Sequence, residues 1–192
     1  STEVGDTFLV AVSRPLVSYD PSEPLPLVLM TDADLAFGAT AQVVRLMQLG
    51  GEIPPFLLVG IGYGSLREAQ EMRARDLTPR DDPESSLCQG AGECGGADRF
   101  MRFIDRELLP FLEARYRIGE DRTYYGASLG GLFGAHALLR GSRTFRRWVL
   151  GSPAVAFGDF AVLDVAPDGD PVSSPIAGAV FVGVGGLEEA FV

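Results

Sequence analysis

The chain has 192 residues, a length that suits one domain with a sizeable hydrophobic core. Its formal net charge of -10 argues against a nucleic acid or an anionic membrane as a partner, because both repel an acidic surface. No apolar run is long enough to span a bilayer and no signal peptide is recognisable, so we predict a single soluble domain over residues 1–192.

The first third of the chain contains three short apolar segments and one amphipathic segment. The apolar segments are predicted strands, because each ends at a proline, a glycine or a polar turn: 7–13, 27–30 and 56–61. The last of them is a continuous apolar run, as expected of a parallel strand covered on both faces. Residues 37–49 carry apolar side chains at helical spacing and precede two glycines, which predicts an amphipathic helix.

Residues 63–96 are the least regular part of the sequence. We predict an irregular segment there, which either shapes a site or is a surface excursion. Five residues separate Cys88 from Cys94, so a small disulfide loop and two free thiols both fit the spacing. A metal site is disfavoured, because no histidine or third cysteine lies nearby. The compartment stays open, with a soluble cytoplasmic protein favoured.

The clearest helix in the sequence is predicted over residues 98–116, where apolar residues recur at helical spacing. Asp98 is placed to cap this helix, and Pro110 is expected to kink it or divide it in two. The other predictions in the second half of the chain are two short strands and a loop between them: 147–150, 179–184 and 157–175.

One short stretch carries the strongest chemical signal. Residues 123–125 are β-prone, Gly126-Ala-Ser-Leu-Gly130 fits the pattern G-x-S-x-G, and residues 129–139 favour a helix. A serine at a tight strand-to-helix turn is the nucleophile elbow of the α/β-hydrolases, where the following helix N-terminus suits an oxyanion. A Gly-rich turn also occurs by chance, but the strand before it and the helix after it favour a catalytic role for Ser128.

Strands alternate with helices along the chain, which predicts an α/β fold with a mostly parallel central sheet and helices on both faces. In such sheets the active site lies at the carboxyl ends of the strands. The polar residues that follow the predicted strands should therefore meet at one rim: Asp32, Asp34, Tyr63, Ser128, Ser152, Glu188 and Glu189.

Six motifs occur in the order in which one known family has them: 27–37, 54–63, 75–79 (Arg-Asp-Leu-Thr-Pro), 107–110, 126–133 and 151–153 (Gly-Ser-Pro). Each motif is weak singly, but together they cover nearly the whole chain. The chain resembles the putative-esterase family of α/β-hydrolases, which includes esterase D-like and ferric-enterobactin-esterase-like enzymes. The resemblance implies a serine esterase with no metal or organic cofactor, and we predict short-chain carboxylic esters as its substrates.

The resemblance also implies the residues that attack and stabilise the ester. Ser128 matches the nucleophile of the family, and the backbone N–H of Leu129 matches one donor of the oxyanion hole. In the family the second donor comes from the loop after the strand at 27–30, and the N–H of Asp34 is the best position for it.

The acid of the family follows a Gly-x-x-acid turn, which Gly185-Gly-Leu-Glu188 matches. Glu188 is therefore the candidate acid, and Glu189 is the neighbouring alternative. An ordinary solvated carboxylate after a strand is the simpler interpretation of either residue. Tyr63 and Ser152 are expected to line the pocket.

The sequence departs from the family at the catalytic base. The histidine of the family lies beyond the acid, whereas the single histidine here is His136, eight residues after Ser128. On a helix this spacing separates the two by about 12 Å, so packing is the simplest role for His136. We therefore predict that the final strand and helix of the fold are lacking. The base would come from outside residues 1–192, in a C-terminal segment or in a second copy that exchanges its terminal elements.

Two alternatives accompany this prediction. An acyltransferase would use the same acyl-enzyme with an alcohol in place of water. A non-catalytic binding protein of the same fold is favoured by the missing histidine and opposed by the intact elbow. In the catalytic case the partner is a small-molecule ester, and no nucleic-acid or membrane partner is expected.

Overall fold

The structure is a computed structural model, from which residues 1–165 and 178–188 are described. A six-stranded sheet has the order β1-β3-β2-β4-β5-β6. Its strands are β1 (Leu9–Ser13), β2 (Leu25–Met30), β3 (Leu57–Gly62), β4 (Ile118–Ala127), β5 (Arg147–Gly151) and β6 (Ala179–Gly183). β1 pairs with β3 in antiparallel fashion and every other pair is parallel, so the predicted mostly parallel sheet is confirmed.

Helices connect these strands along the chain. The longer helices are α1 (Ala33–Leu49), α2 (Leu66–Leu77), α3 (Ser86–Ala91), α4 (Ala97–Phe103), α5 (Leu109–Glu113) and α6 (Leu129–Leu139). A π-turn, Ile104–Leu108, joins α4 to α5, and two short helical turns follow β5 at Phe157–Phe160 and Ala161–Val165. None of the helices in the described ranges is long and apolar enough to cross a membrane.

The sheet has a hydrophobic core on each face. On one face, Leu27 and Leu29 of β2 are fully buried among residues of α2, α4 and α6. On the other face, Met30 and Leu58 are buried under α1. Successive residues of a strand point to opposite faces, so β2 and β3 need apolar residues at every position. This burial explains the continuous apolar runs in the sequence and confirms helices on both faces.

The segment predicted to be irregular contains two helices, α2 and α3, and that prediction is wrong. α2 begins with a serine N-cap, in which the Ser65 hydroxyl accepts from the Glu68 N–H at 3.2 Å and donates to the Glu68 carboxylate at 2.8 Å. The buried face of the helix is narrow and includes Ala69, Ala74 and Leu77. Such a polar helix has a weak apolar pattern. The Ser-x-x-Glu sequence at 65–68 was the feature that could have indicated its start.

The predicted helix at 98–116 is present, but its start and its middle differ in detail. Gly96 precedes the first helical residue, and the Asp98 carboxylate bonds to His136 and Arg140, so the predicted cap is wrong. The π-turn ends just before Pro110, which divides the helix as expected. Proline has no N–H and its ring crowds the preceding turn, and the wider π-turn accommodates both effects.

The two cysteines form a disulfide between Cys88 in α3 and Cys94, with 5.4 Å between their Cα atoms. The alternative of two free thiols is therefore wrong. Asp81 lies beside the disulfide, where one of its carboxylate oxygens accepts from the Cys94 N–H at 3.1 Å. Because both sulfur atoms are in the disulfide, neither is a thiolate that could bind a metal with Asp81. Disulfides persist mainly in oxidising compartments, so this bond does not favour the cytoplasm.

β6 lies at the edge of the sheet, paired with β5. Its side chains Val180, Phe181 and Val182 are 40%, 65% and 53% exposed. Neighbouring residues of a strand lie on opposite faces, so apolar surface is exposed on both faces of this strand. Within the described residues, this edge of the sheet is therefore apolar on both faces.

Candidate active site

Ser128 lies at the turn between β4 and α6 with a φ of 55° and a ψ of -118°. A positive φ is unfavourable for any residue other than glycine, so the surrounding contacts must hold this turn in place. The Ser128 N–H donates to the Gly151 carbonyl at 2.9 Å, and the Ser128 carbonyl accepts from the Ala154 N–H at 3.1 Å. A Cβ atom at Gly126 would collide with the Gly130 carbonyl, so the elbow requires glycine at this position.

A buried tyrosine ties the elbow to the end of the neighbouring strand. The Tyr124 hydroxyl donates to the Gly130 carbonyl at 2.7 Å, and it lies 3.3 Å from the Thr31 hydroxyl after β2. Burial raises the pKa of Tyr124 well above its usual value, so this side chain is a neutral hydrogen-bonding group. The sequence analysis missed Tyr124 and Thr31, because nothing in a local pattern indicates a contact across 93 residues.

A cavity of about 460 Å³ lies beside Ser128, between α1 and α2. Its walls are mainly apolar, and they are formed by Met30, Thr31, Asp32, Leu35, Ala36, Leu66, Ala69, Gln70, Arg73, Tyr125, Ala127 and Ser128. Ser128 is exposed at this wall, while Met30 and Ala69 are buried beneath it. A cavity of this size, with few polar groups around a nucleophile, is suited to one part of a small organic ester.

Asp32 and Asp34 follow β2 but have different surroundings. Asp32 lines the cavity, whereas the Asp34 carboxylate accepts from the N–H groups of Tyr63 at 2.6 Å and Gly64 at 3.0 Å. Within the described part of the chain, the backbone N–H groups of Asp32 and Asp34 have no acceptor. Asp32 lines the cavity and Asp34 does not, and the N–H of Asp34 as an oxyanion donor stays a prediction.

Tyr63 packs against aromatic side chains and is not among the residues that line the cavity. Its ring centroid lies 5.6 Å from that of Phe8. Burial, together with the charges of Asp76 and Asp32, raises the pKa of Tyr63 well above its usual value. The tyrosine is therefore a neutral group behind the rim.

The structure brings Ser152 and Glu188 together. The Ser152 hydroxyl donates to Glu188 Oε1 at 2.7 Å, and the Gly185 N–H donates to the same oxygen at 3.2 Å. Ser152 follows β5 with a φ of 38°, next to the Gly151 carbonyl that holds Ser128. The Glu188 carboxylate is thus oriented at the end of β6, on the same rim as the elbow. Glu189 lies outside the described residues.

His136 lies in α6, two turns beyond Ser128, and is 2% exposed. Its Nε2 is 2.8 Å from a carboxylate oxygen of Asp98, whose other oxygen accepts from Arg140 at 3.2 Å. Burial lowers the pKa of His136, although the Asp98 carboxylate opposes the shift. His136 does not line the cavity beside Ser128, and its contacts are those of a packing residue joining α6 to α4.

This buried histidine should make the folded protein less stable as the pH falls from about 7 to 5. The folded-state pKa of His136 lies below that of the unfolded chain, about 6.5, so the unfolded state takes up the proton first. His136→Gln should flatten the dependence of Tm on pH in this window. The pKa of Asp98 is lowered from 3.8, so Asp98 titrates below this pH window. Thermal denaturation at constant ionic strength measures both slopes, and equal slopes would contradict the assignment.

Comparison with known proteins identifies the family of the chain. The family described as "Putative esterase" matches residues 1–174. The chain is similar to the ferri-bacillibactin esterase BesA of Bacillus subtilis, with 34% identity over 157 residues, 78% of this chain and 54% of the relative. It is also similar to the siderophore triacetylfusarinine C esterase of Aspergillus fumigatus, with 32% identity over 171 residues, 84% of this chain and 56% of the relative.

Among solved structures, the BES protein from Bacillus cereus has a TM-score of 0.82 and 26% identity, covering 95% of this chain and 70% of that protein. The chain spans about half the length of the curated relatives that it matches. The predicted α/β-hydrolase fold is confirmed by this structural likeness. Because the family match extends over most of its length, the chain belongs to the putative esterase family.

Proposed function

We propose that this chain carries the nucleophile of a serine esterase, which hydrolyses small carboxylic esters through an acyl-enzyme at Ser128. The observation that carries the proposal is the exposed, strained Ser128 at the wall of a cavity of about 460 Å³. Membership of the esterase family supports it. No cofactor is needed for this chemistry.

In the proposed reaction, the Ser128 hydroxyl attacks the ester carbonyl and the alcohol leaves with a proton. Water then attacks the acyl-enzyme and releases the acid. The N–H of Leu129, the first residue of α6, has no acceptor among the described residues and is one oxyanion donor. The second donor is an N–H at the start of α1, where Asp34 was predicted and the lining of the cavity favours Asp32.

The proposed acid is Glu188, which would orient a histidine base. Its Oε1 accepts two hydrogen bonds, from Ser152 and Gly185, and its Oε2 has no partner among the described residues. We place the base outside residues 1–192, because the single histidine of this sequence is bound to Asp98. Either the same polypeptide or a second chain could supply it.

The proposed substrate class combines the cavity with the relatives. One curated relative is named a ferri-bacillibactin esterase and another a siderophore esterase. We extend this class to the present chain, so that the natural substrate is a siderophore-type ester and short aryl or alkyl esters are its simple models. The mainly apolar wall with Leu35 and Leu66 at its mouth suits a short uncharged acyl or aryl group.

The test is a panel of p-nitrophenyl esters and a peptide, assayed in imidazole buffer to replace the missing base. Acetate and butyrate esters should be hydrolysed faster than the dodecanoate, and the peptide should stay intact. The rate measured with Ser128→Ala in the same buffer gives the hydrolysis that imidazole itself catalyses, and this rate is subtracted. A preference for the peptide, or equal rates with and without Ser128, would contradict the proposal. If an alcohol is added and more ester than free acid is formed, the protein is an acyltransferase.

A further inference from the structure

Arg73 in α2 makes a bidentate ion pair with Asp32. Its Nε lies 2.8 Å from Asp32 Oδ1, and its Nη2 lies 2.9 Å from Asp32 Oδ2. Both residues line the cavity beside Ser128. We propose that Arg73 is a positioning residue, which holds the backbone of Asp32 so that the first N–H groups of α1 face the acyl oxygen. This inference rests on the proposed esterase function.

The backbone of Asp32 has a conformation that few residue types adopt. It is left-handed, with a φ of 57° and a ψ of 38°, a region that glycine favours and that asparagine and aspartate adopt more often than other residues. Its carboxylate makes no capping bond to α1 and is turned to Arg73 instead. Its carbonyl accepts from the N–H groups of Leu35 and Ala36, each at 3.1 Å. The conformation of Asp32 therefore sets where α1 begins and where its free N–H groups point.

The ion pair is placed where it can hold that conformation. The Arg73 side chain is 23% exposed and that of Asp32 is 15% exposed, so solvent screens the pair only in part. Arg73 extends from a helix whose Ala69 and Ala74 are buried, which gives the guanidinium a rigid base. A planar guanidinium matches both oxygens of a carboxylate, whereas a lysine supplies only a point charge.

The residue before Asp32 is held separately. Thr31 lies against the Tyr124 hydroxyl, which in turn bonds to the Gly130 carbonyl in the first turn of α6. The starts of α1 and α6 are therefore linked through buried groups, and Arg73 restrains the carboxylate of Asp32 at this junction. Two of its nitrogens are occupied by Asp32, which favours positioning over the binding of a substrate anion.

The test compares Arg73→Gln and Arg73→Lys with the wild type, using p-nitrophenyl butyrate in imidazole buffer. If Arg73 positions an oxyanion donor, kcat should fall by up to about 10²-fold, the lower end of the loss for one donor, with KM nearly unchanged. Arg73→Lys should not restore kcat. Added guanidinium ion at low, non-denaturing concentration should partly restore kcat in Arg73→Ala. Tm measurements identify any variant that is not folded.

Arg67→Gln is the matched control, because Arg67 lies in the same helix with a side chain 90% exposed. It should keep the wild-type kcat and KM. If the wild type is active and every Arg73 variant keeps the wild-type kcat, the positioning role of Arg73 is wrong and the proposed function still stands. A raised KM confined to an anionic ester, with normal kcat, would also overturn the positioning role and would assign Arg73 to substrate binding. A wild-type rate equal to that of Ser128→Ala would overturn the proposed function and the inference together.

Discussion

Replacing Ser128 by alanine should abolish covalent labelling by a fluorophosphonate and reduce ester hydrolysis to the rate of the buffer alone. The labelling is carried out in imidazole buffer, which supplies the base that a serine hydroxyl needs to attack the reagent, and Ser128 is the exposed serine at the strained elbow. A helix N-terminus follows it, with free N–H groups to stabilise the developing charge. Intact-mass spectrometry should show one adduct per wild-type chain and none on Ser128→Ala.

Ser86→Ala is the matched control for this experiment. Ser86 is also exposed and also begins a helix, α3, but no strained strand-to-helix turn precedes it. This variant should be labelled as fast as the wild type, and peptide mapping should place the adduct on Ser128. Equal labelling of the wild type and Ser128→Ala would contradict the assignment of the nucleophile.

Residues 1–192 alone should hydrolyse esters only at a residual rate, and imidazole should raise that rate by up to about 10²-fold. A positioned general base contributes roughly 10²–10⁴-fold, and a free imidazole molecule can supply the lower part of this range. Without a base, the oxyanion hole and substrate binding leave only about 10³–10⁴-fold over water. The measurement is the Ser128-dependent rate of p-nitrophenyl butyrate hydrolysis as a function of imidazole concentration.

His136→Gln separates this prediction from its main competitor. Because His136 bonds to Asp98 and does not line the cavity, the variant should keep the residual rate and its response to imidazole. Loss of the rate in His136→Gln, with the fold intact by Tm and circular dichroism, would show that His136 serves as the base. Fast turnover that needs neither imidazole nor His136 would show that another group of this chain serves Ser128.

The elbow could be predicted from the sequence because its requirements are local. Ser128 needs a glycine on each side within two positions, a β-prone segment before it and a helix after it, and all of these lie within one short window. The buried strands were predictable for a similar reason. β3 is covered on both faces, so each of its positions must be apolar or glycine, and this requirement is visible without a partner.

The helix α2 shows where local patterns fail. Most of its surface is polar, so its apolar periodicity is weak, and its fold-specific contacts come from small residues such as Ala69 and Ala74. The disulfide shows the same limit, because the spacing of Cys88 and Cys94 permitted both a bond and two thiols. Only the packing of α3 brings the two sulfur atoms together.

The supporting contacts of the candidate site were decided by the tertiary structure. Arg73 and Asp32 are 41 residues apart, and Ser152 and Glu188 are 36 residues apart. Parallel strands with adjacent carboxyl ends bring the second pair to one rim, while the packing of α2 beside α1 makes the first. Such pairs have no periodic signal, because each depends on strand order and helix docking. The sequence by itself therefore predicted the elbow and the strands, whereas the folded chain determined which charged and polar groups lie around the elbow.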